Sequence, residues 1–393
     1  MCDTSGLFLP YVRSTAMTGI PRLAILAFLA VPLVGGAAPV TAQEKEESGF
    51  DRLWSKARLY SGDADSFFQS FALSGRLQLD FAYVDSSDDD HGEFNVRRFR
   101  FGFKTVFLQD FTFHVEGDFD IQSTDPFYRK LTDAYLAWSP SKTAKLTVGK
   151  HSAPFTLDGM TSSKRLLTID RSNLTNNIWF TDEYIPGVSL QGETPKLVYH
   201  VGIYSSGDED PEFGDFKGGE FVLLTLGHDF ADRLGAEEAL LRLTFVDNEP
   251  DPNNGFTNLL ERIASLSFSY EAASRWGVRA DVSTGSGYAG QSDLWGFYVM
   301  PFWELSSSLE LVGRYTFIDS DDENGIRFAR YEREIARGRG DRYDEIHIGL
   351  NYYWYGHKLK LQNGLQWVEM DDRADDGGAY SGWGWTTALR VSW

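Results

Sequence analysis

The strongest constraint in this sequence is a period of two. From Leu73 onward, apolar and polar residues alternate in segment after segment. In the first, Leu77, Leu79, Phe81 and Tyr83 fall on one side, and Arg76, Gln78 and Asp80 on the other. In Arg97–Phe107, Phe99, Phe101, Phe103 and Phe107 oppose Arg98, Arg100 and Lys104. In Phe111–Ile121, Phe111, Phe113, Val115 and Phe119 oppose His114, Glu116, Asp118 and Asp120. Successive side chains of a strand point to opposite faces. Each segment therefore has one oily wall and one charged wall. Two architectures carry that pattern: a soluble sandwich with oily faces inward, or a cylinder with oily faces in lipid.

Three features select the cylinder. The segments run to about 10–14 residues, whereas soluble strands usually have about 5–6 and tilted transmembrane strands need about 9–11. The connections alternate between tight ones, such as Leu108–Asp110 and Tyr355–His357, and long ones, such as Asp85–Gly92, Ser206–Gly218 and Asp319–Gly340. Bacterial outer-membrane barrels have short periplasmic turns and longer external loops. The chain also ends GWGWTTALRVSW, a strand closing on an aromatic residue. Aromatic residues near segment ends, among them Tyr83, Trp138, Trp303, Trp354, Trp367 and Trp383, suit interfacial girdles. Counting segments gives sixteen, an even number as such barrels require. The expectation is an all-β fold: a 16-stranded antiparallel transmembrane β-barrel over residues 73–393. Gly219–Ala231 and Gln291–Trp303 are apolar on both faces, which fits either subunit contacts or contact with a folded-in loop.

One stretch breaks the rhythm. Ser152–Glu183 (SAPFTLDGMTSSKRLLTIDRSNLTNNIWFTDE) does not alternate. An insert of this length is uncommon and is usually functional or disordered. Phe155, Leu157, Leu166, Leu167, Ile169, Trp179 and Phe180 make it too apolar for disorder. It is expected to be the third external loop, folded inward against the barrel wall and narrowing the bore.

The N-terminal part has another character. Arg13 and Arg22 precede the apolar run Leu23–Val34, and Val40-Thr41-Ala42 is a small-residue cleavage pattern. Residues 1–42 therefore read as a signal peptide, and the run is shorter than the roughly 20 residues of a spanning helix. Residues 43–72 read as a periplasmic N-terminal segment. The single cysteine, Cys2, lies in the part expected to be removed, so neither a disulfide framework nor a Cys-ligated metal is expected. With a formal net charge of −20 and no basic stripe, the chain is a poor partner for nucleic acid.

Four runs together resemble the phosphate-selective porin O and P family. They are RRFRFGFKTVFLQDFTFHVEGDFD (Arg97–Asp120), LTDAYLAW (Leu131–Trp138), LTVGKHSAPFTLDGMTSSKRLLTIDRS (Leu146–Ser172) and IPGVSLQG (Ile185–Gly192). Paired arginines open a strand, E-x-D-F follows in its hairpin partner, and then come G-K-x-x-x-P-F and T-S-S before an Asp/Arg pair. The resemblance covers the first half of the mature chain and is one of architecture beyond it. It implies a 16-stranded, usually trimeric, outer-membrane diffusion channel of a Gram-negative-type bacterium, constricted by its third loop. Anion or phosphate selectivity is implied with it, through arginine ladders and lysine clusters.

The candidate site residues follow. Asp158, Lys164, Arg165, Asp170 and Arg171 are placed at the constriction, where opposed charges set ion preference; alternatively Asp170 and Arg171 pair with each other or with the wall and pin the loop. Arg98, Arg100, Lys104, Glu116, Asp118, Asp120 and Lys150 are placed on a lumenal charge strip, with Asp133 and Arg171 nearby. Glu116, Asp118 and Asp120 lie at a spacing that also permits carboxylate catalysis, but Arg98 and Arg100 neutralise them more simply. The seven histidines show no ligand spacing, and there is no G-x-S-x-G, P-loop or helix-opening G-x-G-x-x-G. No catalytic residue, metal or cofactor is expected. The expected activity is passive diffusion of small ions and polar solutes by a lipid-embedded homotrimer. The alternatives are an outer-membrane enzyme or an adhesive barrel. Acids in the external loops, such as Asp88–Asp90, Asp208–Asp210, Asp319–Glu323 and Asp371–Asp376, would bind cations, lipid or a partner in the adhesive case. As simple solvated charges they repel anions from the mouth.

Overall fold

The computed structural model describes residues 48–393 apart from Thr124, Asp208, Glu209, Pro211, Asp215 and Pro252. The expected signal peptide, and the acids Asp208, Glu209 and Asp215, lie outside the described residues. A short helix, α1 (Gly49–Ser55), and a short strand, β1 (Arg58–Ser61), lead into β2 (Phe68–Ser86), β3 (Asp90–Phe107), β4 (Phe111–Phe119), β5 (Tyr128–Ser141) and β6 (Ala144–Ser152). After a long connection come β7 (Tyr184–Glu193), β8 (Leu197–Ser205), β9 (Glu220–Asp229), β10 (Glu238–Asn248), β11 (Leu260–Ala272) and β12 (Trp276–Gly287). The last five are β13 (Leu294–Ser306), β14 (Leu309–Ser320), β15 (Arg342–Tyr355), β16 (Leu359–Asp371) and β17 (Tyr380–Ser392).

Each strand from β2 to β17 pairs antiparallel with its sequence neighbours, and β17 pairs back onto β2. Sixteen strands thus close into a barrel, with β1 an extra rung on β2. Closure leaves no unpaired edge, the condition for crossing a bilayer with strands. The sixteen expected segments correspond one to one with these strands. The barrel begins at Phe68 rather than Leu73. The first external loop shrinks to a tight turn, because Asp85 pairs with Asp90 and alternation continues through Phe94. Asp and Ser at 85–90 mimic loop composition.

The side-chain faces decide between sandwich and cylinder. Phe101, Phe113, Leu146, Val148, Ile346 and Ile348 are exposed, while their polar neighbours Arg100, Glu116, Thr147, His151, Glu345 and His347 are buried. An oily exterior over a polar interior suits lipid outside and charge inside. Exposed tryptophans form two groups: Trp138, Trp276, Trp303 and Trp354 near the tight turns, and Trp295, Trp367 and Trp383 near the long connections.

Helix α1 lies at the tight-turn end. Ser48 and Asp51 cap it reciprocally. Trp54 Nε1 donates to the Ser392 carbonyl (2.6 Å), and Phe50 stacks on Tyr355 at 5.5 Å between centroids.

Candidate functional site: an arginine-lined cleft

The β6–β7 connection contains two short helices, α2 (Leu157–Met160) and α3 (Asn173–Ile178). Thr156 and Ser172 cap them, each accepting a backbone N–H three residues on. The Asp158 carboxylate accepts the Ser172 N–H (2.9 Å), and its carbonyl accepts Arg171 Nε (2.8 Å). Asp158 thereby staples the two helices together. Asp281 of β12 takes the Leu157 N–H (2.8 Å).

One side of the connection is apolar. Phe155, Leu174, Ile178 and Phe180 join a buried cluster with Phe221, Leu223, Tyr298, Met300 and Ile318. Phe180 stacks on Phe221 at 4.8 Å between centroids. Leu174 sits against Gly296, where a Cβ would lie 2.8 Å from its Cδ1 and closer still to the Phe317 carbonyl oxygen of β14; the backbone contact requires glycine there. These contacts explain the double-sided apolar character of β9 and β13: loop residues cover their second faces.

The other side is held by polar groups of distant strands. Lys360 Nζ donates to the Leu166 carbonyl (2.6 Å) and Asn351 to that of Leu167 (2.8 Å). Arg314 donates to Thr168 Oγ1 (2.9 Å) and the Asp170 carbonyl (3.0 Å). Arg76 Nη1 donates to Ser163 Oγ (2.6 Å), and Lys164 Nζ to the Trp393 carbonyl (3.3 Å).

Between this connection, β3 and the β14–β15 connection lies a cleft of about 560 Å³. Nine basic and four acidic side chains line it. Arg97 approaches Asp170 (Nε–Oδ1 3.5 Å), and Arg171 approaches Glu183 (3.4 Å) and stacks over Trp179 (4.7 Å). Lys130 pairs with Asp182 (2.9 Å). Arg100 donates to Tyr184 Oη (2.9 Å) and lies 3.6 Å from Asp118. The hydrogen-bond partner of Arg98 among the described residues is the neutral Gln78 amide (2.8 Å). Burial pushes the Asp170 carboxyl up, but Arg97, Arg98, Arg390 and Arg330 outweigh it and hold the group well below the usual range. Arg171, Arg100 and Arg98 do the same for Glu183. Both carboxylates are therefore fixed negative charges inside an excess of cations.

Several predicted residues meet here and others do not. Asp170, Arg171, Arg98, Arg100 and Asp118 line the cleft. Asp170 and Arg171 take different partners rather than each other. Asp158 is buried within the connection as its staple, and Arg165 is exposed. Lys164 and Glu116 lie at the Arg76 end, Glu116 paired with Arg76 (3.0 Å). Lys104 is exposed, paired across the strands with His114. Two strip residues are corrected. Asp120 lies beyond β4 in the turn, bound by Arg129. Lys150 shares the face of Leu146 and Val148, not that of His151, and is buried against Glu212 of the β8–β9 connection (3.0 Å).

Sequence reasoning missed Arg97 and the arginines of the β14–β15 connection. Strict alternation puts Arg97 on the outer face with Phe99. A bulge, where Gln78 pairs with Arg98 but Leu79 with Val96, turns it inward beside Arg98. The Arg97–Arg98 doublet in an otherwise alternating strand was the available signal.

The sequence matches the family described as "Phosphate-selective porin O and P" over residues 71–298, more than half of the chain. No curated protein sequence matches it. Solved structures share the fold at low identity. An anion-selective porin from Comamonas acidovorans is 14% identical, with a TM-score of 0.59 over 82% of this chain and 99% of that one. The outer membrane channel DcaP of Acinetobacter baumannii is 15% identical, with a TM-score of 0.57 over 85% of this chain and 100% of that one. A trimer form of OmpT of Vibrio cholerae is 11% identical, with a TM-score of 0.51 over 82% and 99%.

Proposed function

The chain belongs to the phosphate-selective porin O and P family of outer-membrane channels, and on that premise we propose a porin whose water-filled bore is narrowed by residues 152–183 and favours anions. Small solutes cross by diffusion, without covalent chemistry. The observation that carries the reading is the cleft itself. It gathers an excess of arginines beside a connection anchored to strands as far apart as β2, β12 and β16. Charges lining a narrow aqueous passage with low-dielectric walls focus the field and set ion preference. The cleft's positive excess offsets the acidic loops at the mouth, so anions meet an attractive zone past a repulsive rim.

The working unit is a lipid-embedded homotrimer, in line with the family resemblance, and residues 48–67, ahead of the barrel, lie on the periplasmic side with the tight turns. The test is single-channel recording in planar bilayers. Stepwise conductance is expected, with a reversal potential of anion-preferring sign under a potassium chloride gradient. A silent protein would instead favour an adhesive barrel with cation- or partner-binding acidic loops. A cation-preferring reversal potential would remove the anion reading and leave the porin.

A further inference from the structure

We propose that the β14–β15 connection, residues 321–341, is a second selectivity element, with Arg327, Arg330 and Arg333 forming one half of the anion passage opposite Arg97, Arg98 and Arg100. The inference rests on the porin reading above and assigns the cleft's charge to two separate elements.

The segment Ile326–Gly340 folds back as a closed excursion, Ile326 and Gly340 exchanging backbone hydrogen bonds (2.8 and 3.0 Å). Its apolar residues are buried: Ile326, Phe328, Tyr331 and Ala336. Its anchors leave the three guanidinium groups out. The Arg327 backbone is clamped by α3, its carbonyl accepting from Asn173 (2.9 Å) and Asn177 (3.0 Å) and its N–H donating to Asn177 Oδ1 (2.8 Å). Tyr331 Oη donates to Asp80 of β2 (3.0 Å), and Glu332 accepts from Gln366 of β16.

The guanidinium groups themselves reach neutral partners. Arg327 Nη2 donates to the Asn176 carbonyl (3.5 Å), Arg333 Nε to that of Ala329 (3.3 Å), and Arg330 lies over the Tyr331 ring (5.7 Å). All three line the cleft shared with Arg97, Arg98 and Arg100. A segment that merely plugged the barrel would neutralise such charges with its own acids. Here Asp321, Asp322 and Glu323 precede the excursion, Glu332 turns to the wall, and Glu334 is exposed and forms no ion pair with the three arginines among the described residues. The charge left in the cleft is a solvated, positive, fixed array, which draws anions through an acidic mouth.

The experiment compares chloride-to-potassium permeability ratios from reversal potentials of open channels. The R327Q/R330Q/R333Q variant is expected to lose about threefold or more of the ratio while still conducting in steps. Since Cys2 is the only cysteine, a C2S/R330C channel gives a readout within one folded molecule. Modification by an ammonium-bearing thiosulfonate should raise the ratio, and by a sulfonate-bearing one lower it. The proposal is overturned if both reagents label the introduced thiol without moving the ratio, or if the triple variant conducts with the wild-type ratio. If R98E shifts the ratio and the loop variants do not, the anion porin stands and only this inference falls. A silent wild type would remove both.

Discussion

Two sets of strand residues hold the β6–β7 connection by different means. Strands β9 to β14 offer Phe221, Leu223, Tyr298, Met300 and Ile318, a surface that grips by shape. Arg76 and Gln78 of β2, Asp281 of β12, Arg314 of β14, Asn351 of β15 and Lys360 of β16 grip it instead by hydrogen bonds. Apolar contact is non-directional and fixes where the connection sits. Charged contact is directional and fixes which groups remain at the cleft. The division teaches that where the connection sits and which charges face the cleft have separate causes, so mutation should change one without the other.

The largest effect is expected on the apolar side. L174A/F180A removes two buried anchors, each worth about 2–5 kcal/mol in a packed core. The connection should detach, raising single-channel conductance about twofold or more as the passage widens, while heat-modifiable gel mobility shows the barrel intact. Unchanged conductance would mean the polar contacts alone position it.

The next effect lies on the charged side. R98E places a carboxylate among the remaining arginines and should drive the chloride-to-potassium ratio toward cations, with conductance steps retained. D170N should act in the opposite direction and more weakly. It frees Arg97 from its carboxylate, so anion preference rises in the same reversal-potential measurement.

Smaller effects follow from pH. Burial, reinforced by Arg76, pulls the Lys164 ammonium down to about 8. Raising pH from 7 to 9 should discharge it and lower anion preference slightly, a step absent in K164Q. Burial, with Glu345 and Asp170 nearby, pushes the Glu332 carboxyl up to about 7. A raised carboxyl favours its neutral form in the folded state. Its contribution is complete below the ordinary carboxylate range and lost as pH rises through about 7. Backbone protection within residues 326–340, taken relative to the intrinsic base-catalysed exchange rate, should therefore be higher at pH 5.5 than at pH 8, and E332Q should erase the difference.

The barrel was legible because alternation is a local signal with a period fixed by strand geometry. Phe99 to Phe107 against Arg98 to Lys104 needs no knowledge of distant partners. The apolar inner faces of β9 and β13 were legible as an anomaly, with loop contact among the readings. Arg97 was not legible, since a bulge is set by the register of two strands rather than by either sequence. Lys150 was misplaced against the alternation itself, which puts it with Leu146 and Val148; only its partner, Glu212, 62 residues away, was hidden from the sequence. Arg327, Arg330 and Arg333 were hidden in a loop whose neighbours are aspartates. Only the tertiary anchors Asn173, Asn177, Asp80 and Gln366 distinguish them from solvated surface.

The carbonyl of Trp393 receives the ammonium of Lys164, while its N–H meets the carbonyl of Gly75 and helix α1 grips Ser392 next to it. Three parts distant in sequence are knotted at one C-terminal address. The β17–β2 seam and the Lys164 end of the β6–β7 connection therefore share one set of anchors, and a change at the last residue reaches both.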